Sequence, residues 1–198
     1  MSEIQQSPAQ QQHGTAFDLK KTVALVGMMG AGKTAVGRAL AQRLGVPFLD
    51  SDAEIEAAAN MTVQEIFARD GEPFFRTKEA QVISRLLDGA PCILSTGGGA
   101  FMAQGNRDAI TQRGVSVWLD ADLDLLWSRV RHRSTRPLLQ TDDPKGALTA
   151  IYEARVPVYQ RADLAAQADP AFTIDDMVSR VIDVLLTRPD VLERSHAA

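Results

Sequence analysis

Cysteine is nearly absent from this chain: Cys92 is the one thiol among 198 residues, so an intramolecular disulfide framework and a cysteine-rich metal site are both excluded. A reducing compartment, by default the cytoplasm, is the economical expectation. Long apolar runs are missing too. Nothing approaches the roughly 20 consecutive apolar residues of a membrane-spanning helix, and the N-terminal stretch lacks the apolar centre of a secretion signal. There is no basic excess either. Lys and Arg number 21 against 25 Asp and Glu, a net charge of -4, which argues against a nucleic-acid or anionic-membrane surface. Aromatic residues make up only 6%, and no pair suited to stacking on a nucleobase acceptor is evident.

What is present describes one ordinary domain, with 45% hydrophobic residues and a length that buries about 70% of the unfolded surface around a single core. The first residues carry Gln5, Gln6, Gln10, Gln11 and Gln12 and almost nothing that can be buried, so ordering them is not repaid. Residues 1–20 are therefore expected to be a flexible tail and residues 21–188 the domain. Residues 189–198 are expected to form a second tail, because Pro189 stops a helix and the last four residues have no core-forming content.

Between the tails, short apolar runs alternate with helical periodicity, the pattern of βα units on a parallel sheet. Thr22 to Val26 reads as a buried strand and Lys33 to Leu44 as a helix ended by Gly45. Phe48-Leu49 is a short strand before a helix over Ala53 to Ala59. Thr62 to Glu65 is a capping-box pattern opening a helix that closes before Gly71. Further helices are expected over Pro73 to Leu87, Asn106 to Arg113, Asp122 to Arg131, up to Val156, and Thr173 to Thr187. Strands are expected at Cys92 to Ser95, Val115 to Leu119 and Asp163 to Gln167, and the irregular stretch Arg133 to Lys145 is a lid candidate.

The most specific motif is Gly27-Met28-Met29-Gly30-Ala31-Gly32-Lys33-Thr34, G-x-x-x-x-G-K-[ST] between an expected strand and an expected helix. The bare pattern arises by chance in about one chain in a hundred, and the flanks reduce that further. Glycines let successive N–H groups turn toward phosphate oxygens at a helix N-terminus. Lys33 would reach the β and γ phosphates, and the Thr34 hydroxyl is a hard ligand for Mg²⁺. ATP with Mg²⁺ is the expected pair, and Gly30, Ala31, Gly32, Lys33, Thr34 and Ala35 are the expected phosphate contacts.

Other residues concern the acceptor. Asp50 and Asp52 leave an extended strand on the same side, where one could hold a metal-bound water and the other take a proton; equally, Asp52 could merely cap the following helix. Gly97-Gly98-Gly99 after a strand marks either a turn or a place for close backbone approach to a small ligand, and Ser95 sits where a hydroxyl could support the metal's water shell. Arg76 and Arg155 are either surface helix residues or, if they converge, a carboxylate clamp. Arg129, Arg131, Arg133 and Arg136 concentrate basic charge in and just before the lid candidate.

Together, Gly27 to Thr34, Asp50-Ser51-Asp52, Phe75-Arg76, Gly97-Gly98-Gly99, Arg136-Pro137-Leu138-Leu139 and Arg155 with Tyr159 four residues on resemble the shikimate kinase family, from about Thr22 to Leu186. The resemblance implies an α/β P-loop NTPase-type three-layer fold with a five-stranded parallel sheet, a lid and a helical substrate-binding region. It also implies ATP-dependent phosphorylation of the 3-hydroxyl of shikimate. Lys33, Asp52 and Arg136 would be catalytic. Arg76, Arg155 and the glycines Gly97, Gly98 and Gly99 would bind shikimate, Arg129 would flank the adenine, and Asp50 and Ser95 would hold magnesium through water. A single chain with no nucleic-acid or membrane partner, working as a monomer, is expected. The stretch Gln167 to Phe172 gives no residue-by-residue alignment with the family's adenine-facing loop, so its contacts stay unassigned. Another small-molecule kinase, acting on gluconate or a nucleotide, and a nucleotide-dependent regulatory module are the rival readings.

Overall fold

A computed structural model describes residues 16–132 and 137–195 of the chain. Its centre is a parallel sheet of five strands, in the spatial order β3 (Phe48–Asp50), β4 (Ile93–Ser95), β2 (Thr22–Val26), β5 (Gly114–Asp120) and β6 (Leu164–Gln167). Strand β2 lies in the middle and is buried along its whole length, which is why it reads as an unbroken apolar run rather than an alternating one. From β2 the chain passes through α1 (Lys33–Leu44) to the edge strand β3 and returns through α2 (Ser51–Ala59) and α3 (Val63–Leu87) to β4. It then crosses through α4 (Gln104–Arg113) to β5, on the opposite side of β2. α5 (Leu123–Val130), α6 (Pro144–Tyr159), β6 and α7 (Ile174–Leu185) come next. The strand order changes direction at β2, so the carboxyl ends of β2, β3, β4 and β5 border one crevice.

Local chemistry explains the helix boundaries. Gly45 adopts φ 68° and its N–H bonds the last carbonyls of α1, a conformation that costs glycine nothing. Thr62 and Glu65 form the expected capping box, and α3 carries a break at Gly71, φ 80° and ψ 171°, where two separate helices were expected. With α2 and β4, the two parts of α3 enclose a small core of their own, Ile55, Ile66, Phe75, Val82, Leu86 and Leu94, beside the main core under the sheet.

Three expectations are corrected. α2 begins at Ser51, because Asp50 rather than Asp52 is its cap, its side chain accepting the N–H groups of Asp52 and Ala53. α6 does not stop at Val156 but continues through Pro157 to Tyr159. The hydrogen bond that Pro157 cannot donate would have gone to Glu153, and both residues lie on the exposed face, so the carbonyl left over is open to solvent. The domain is also wider than residues 21–188. β1 (Phe17–Leu19) pairs antiparallel with β7 (Leu192–Arg194) in a two-stranded ribbon, with Phe17 opposite Arg194 and Leu19 opposite Leu192. Leu19, Val191 and Leu192 are buried in the main core, and Lys20–Glu193 and Lys21–Asp190 ion pairs flank the ribbon at 2.7 and 2.8 Å. Each three-residue strand is too short to announce itself in sequence; it exists because the other one is beside it.

Candidate active site

The loop Gly27–Thr34 joins β2 to α1 at the crevice. Gly27, Gly30 and Gly32 have φ of 140°, 84° and 94°, which side chains rarely allow. At Gly30 a Cβ would also lie 2.7 Å from Val130. The first turn of α1 has no side-chain cap and no acidic residue, so its orphan N–H groups and positive dipole end face the crevice. Lys33 Nζ donates to the carbonyls of Gly27 (2.8 Å) and Met28 (3.1 Å), folded over its own loop. Arg129, from α5, reaches across to the carbonyls of Gly30 and Ala31 at 3.3 and 3.5 Å. Ala35 lines the crevice beside Thr34.

Beside the loop, parallel register puts Asp50 of β3 opposite Ser95 of β4, and Ser95 opposite Leu25 of β2. Thr34 Oγ1 comes within 3.4 Å of Asp50 Oδ2 and 3.5 Å of Ser95 Oγ. Three hard oxygens from three elements thus meet, with the Asp50 carboxylate fixed by its capping bonds. No group of three or more His, Cys, Asp and Glu residues suited to a metal occurs among the described residues. The Thr34–Asp50–Ser95 set fits Mg²⁺, which keeps several waters and takes one or two protein ligands plus phosphate oxygens.

The acceptor side is built on the three glycines after β4, each of which admits one functional side chain. A Cβ at Gly97 would lie 2.6 Å from Asp52 Oδ1, one at Gly98 3.4 Å from Arg155 Nη1, and one at Gly99 2.5 Å from Arg76 Nη2. Asp52, Arg76 and Arg155, separated widely in sequence, converge on one loop. Asp52 Oδ1 is buried without a hydrogen-bond partner. Burial first, and the neighbouring Asp50 carboxylate second, push the Asp52 carboxyl above its ordinary range, against the pull of Lys33 and Arg76. Arg155 Nη1 donates to the Gly98 carbonyl at 3.0 Å.

Arg76 is anchored by two acids. Its Nε and Nη2 donate to Glu72 Oε1 at 3.2 and 3.0 Å, and its Nη1 donates to Glu79 Oε2 at 2.9 Å. Glu79 is 1% exposed, and its other oxygen is buried without a partner. Burial raises the Glu79 carboxyl and the Arg76 guanidinium opposes that rise. Glu79 was not among the residues expected from sequence; its signal was an acid one turn after Arg76 on the inner face of α3. The stretch Gln167–Phe172, left unassigned by the family resemblance, leaves the end of β6 and enters a turn held by Asp169, whose carboxylate accepts the Ala171 N–H at 2.7 Å, and it brings Phe172 and Ile174 to the crevice. These two and Leu138 are the crevice residues among the four exposed large hydrophobics of the described residues, an apolar rim of the crevice. Arg133 and Arg136 lie outside the described residues; Leu138 belongs to a short 3₁₀ turn, Pro137–Leu139. The cleft measures about 960 Å³, at the upper end of the usual range for ligand sites, as room for two substrates requires.

A family model described as Shikimate kinase matches residues 29–186. A shikimate kinase of Ruegeria pomeroyi is 65% identical over 98% of this chain and 100% of its own length. One of Cereibacter sphaeroides is 67% identical over 88% of this chain and 87% of that protein. Among solved structures, the shikimate kinase of Acinetobacter baumannii in complex with shikimate superposes with a TM-score of 0.79 at 38% identity, covering 84% of this chain and 93% of that one.

Proposed function

This chain belongs to the shikimate kinase family, and we propose that it performs the family's reaction with Lys33, Asp52 and Arg136 as catalytic groups and Arg76, Arg155 and Gly97–Gly99 as the shikimate-binding set. It phosphorylates shikimate at the expense of ATP, a step of the shikimate pathway toward chorismate and the aromatic amino acids. The observation that carries the assignment of residues is the convergence of Asp52, Arg76 and Arg155 on a side-chain-free loop next to the phosphate loop.

Two guanidinium groups hold the shikimate carboxylate bidentately, which aims the 3-hydroxyl at the unpaired oxygen of Asp52. That hydroxyl attacks the γ-phosphorus in line, the bond to the β,γ-bridging oxygen breaks, and ADP leaves. The hydroxyl proton passes to Asp52, whose raised affinity for a proton suits a base that must take one as the bond forms. Lys33 exchanges the carbonyls of Gly27 and Met28 for the transferring phosphoryl oxygens, and Arg136, outside the described residues, would add positive charge there. Magnesium would be held by Thr34 directly and by Asp50 and Ser95 through water, supplying charge neutralisation at the phosphates. Arg129 and the apolar rim of Phe172 and Ile174 would take the adenine. We propose that it works as a monomer. No helix among the described residues is long and apolar enough to cross a membrane, and we propose a cytoplasmic enzyme.

Steady-state assay of ADP release with shikimate varied is the direct test. Shikimate-dependent release with phosphate on the 3-hydroxyl is expected; its absence overturns the assignment.

A further inference from the structure

One fully buried side chain touches both Arg155 and the Gly98 carbonyl of the proposed shikimate-binding set. Tyr159 is 0% exposed and stacked between Phe101 and Trp118, with ring centroids at 6.4 and 6.3 Å and interplanar angles of 15° and 19°. Its hydroxyl donates to the Gly98 carbonyl at 2.5 Å, the oxygen that also accepts Arg155 Nη1 at 3.0 Å. Arg155 and Tyr159 are four residues apart on α6, one above the other on the same face, a relation that exists only because the helix continues through Pro157. With both donors on one oxygen, the phenol hydroxyl, the guanidinium and the carbonyl form one compact triangle; burial raises the phenol's affinity for its proton, and the adjacent Arg155 guanidinium opposes that rise.

We infer that Tyr159 is a positioning residue for shikimate binding, locking the Gly98 peptide and the Arg155 guanidinium into a single preformed half of the acceptor site. The inference rests on reading Arg155 and Gly98 as shikimate-binding groups. Its physical reason is the freedom of three successive glycines, which have no side chains of their own to settle the backbone. Fixing the Gly98 carbonyl fixes the plane of the Gly98–Gly99 peptide, and with it the direction of the Gly99 N–H. The same bond keeps the carbonyl under Arg155, so the guanidinium is held at one end while its remaining N–H groups stay available. A site held this way binds without first ordering its loop. The aromatic stack does not need the hydroxyl. Phenylalanine at 159 keeps the ring between Phe101 and Trp118, and Gly98 keeps its bond from Arg155, so the fold is not at stake.

Tyr159→Phe and Arg155→Ala are compared by initial rates, with shikimate and ATP varied separately, and by thermal melting. In Tyr159→Phe the KM for shikimate is expected to rise about tenfold, the size of one lost hydrogen bond, while the KM for ATP stays within about twofold. The double variant should fall short of the product of the single effects, since both residues act on Gly98. If Arg155→Ala leaves the shikimate KM unchanged, the reading of the site fails and takes the inference with it. If Arg155→Ala raises that KM and Tyr159→Phe does not, the inference alone fails. It also fails if Tyr159→Phe raises both KM values equally or lowers only the melting temperature, for the residue is then mere packing.

Discussion

The two halves of the crevice are made differently. The phosphate half is a contiguous loop, residues 27–34, and its working groups are largely backbone N–H donors shaped by glycines of positive φ. The acceptor half is made of side chains from α2, α3 and α6 that meet over Gly97–Gly99, each separately oriented: Asp52 by the cap at Asp50, Arg76 by Glu72 and Glu79, Arg155 by the Gly98 carbonyl. A backbone site tolerates changes in most nearby side chains. A side-chain site is lost one residue at a time.

Asp52→Asn should separate the halves most sharply. Loss of the proposed proton acceptor is expected to cost on the order of 10²–10⁴ in kcat, while titration with an ATP analogue finds nucleotide binding intact; weakened nucleotide binding would show that the halves are not independent. The same variant should melt no lower than the wild type at neutral pH. Because folding raises the Asp52 carboxyl above its ordinary range, the folded state favours its proton. Its penalty is absent at low pH, sets in as pH rises past the unfolded value, and is complete above the folded one; asparagine removes it. A melting curve that drops at neutral pH contradicts this account.

Gly97→Ala comes next. Its Cβ would press on Asp52 Oδ1, and a displacement of about 1 Å at the base costs roughly 10² in kcat/KM for shikimate; unchanged kinetics would mean that the loop yields instead. The pH profile is a finer probe. The acid limb of kcat/KM for shikimate should fall above the ordinary carboxylate range and vanish in Asp52→Asn, and a limb that survives the substitution belongs to another group. On the nucleotide side, Ile174→Ala removes part of the apolar rim and should raise the KM for ATP by about 3–10-fold, the effect of a partly lost hydrophobic contact, with the shikimate KM unmoved. Smallest of all, Gly105→Ala, inside α4 with nothing within 4 Å of a new Cβ, should stabilise by about 0.4–1 kcal/mol in denaturant melts and leave both KM values alone.

The legibility of each half reflects how it is made. Gly27 to Thr34 could be read directly, since a loop that works through its backbone must write its glycines in order. β2, β4 and β5 were readable as buried apolar runs, and the Thr62–Glu65 box announced its helix. Asp52 was ambiguous because a carboxylate at a strand end serves equally as a cap; Asp50 turned out to occupy that role and leave Asp52 Oδ1 unbonded. Glu79 was passed over despite its spacing from Arg76, because acids on helices are usually solvated, and only packing shows that this one is buried. The β1–β7 ribbon escaped for another reason: each strand is stabilised by a partner more than 170 residues away, and neither has a pattern of its own.

From sequence, then, came the parallel α/β architecture, the phosphate loop, and the residue types of a clamp whose partners were unproven. These are local properties: periodicity of burial, glycines where φ must be positive, a lysine and a threonine at set offsets. Tertiary structure decided which carboxylate is free to act, that two arginines meet on the glycine loop, that Tyr159 stands under one of them, and that the β1 and β7 segments belong to the fold. Each depends on the distance between residues far apart in the chain. The packing of α2, α3 and α6 against the sheet sets those distances; no single stretch of sequence contains them.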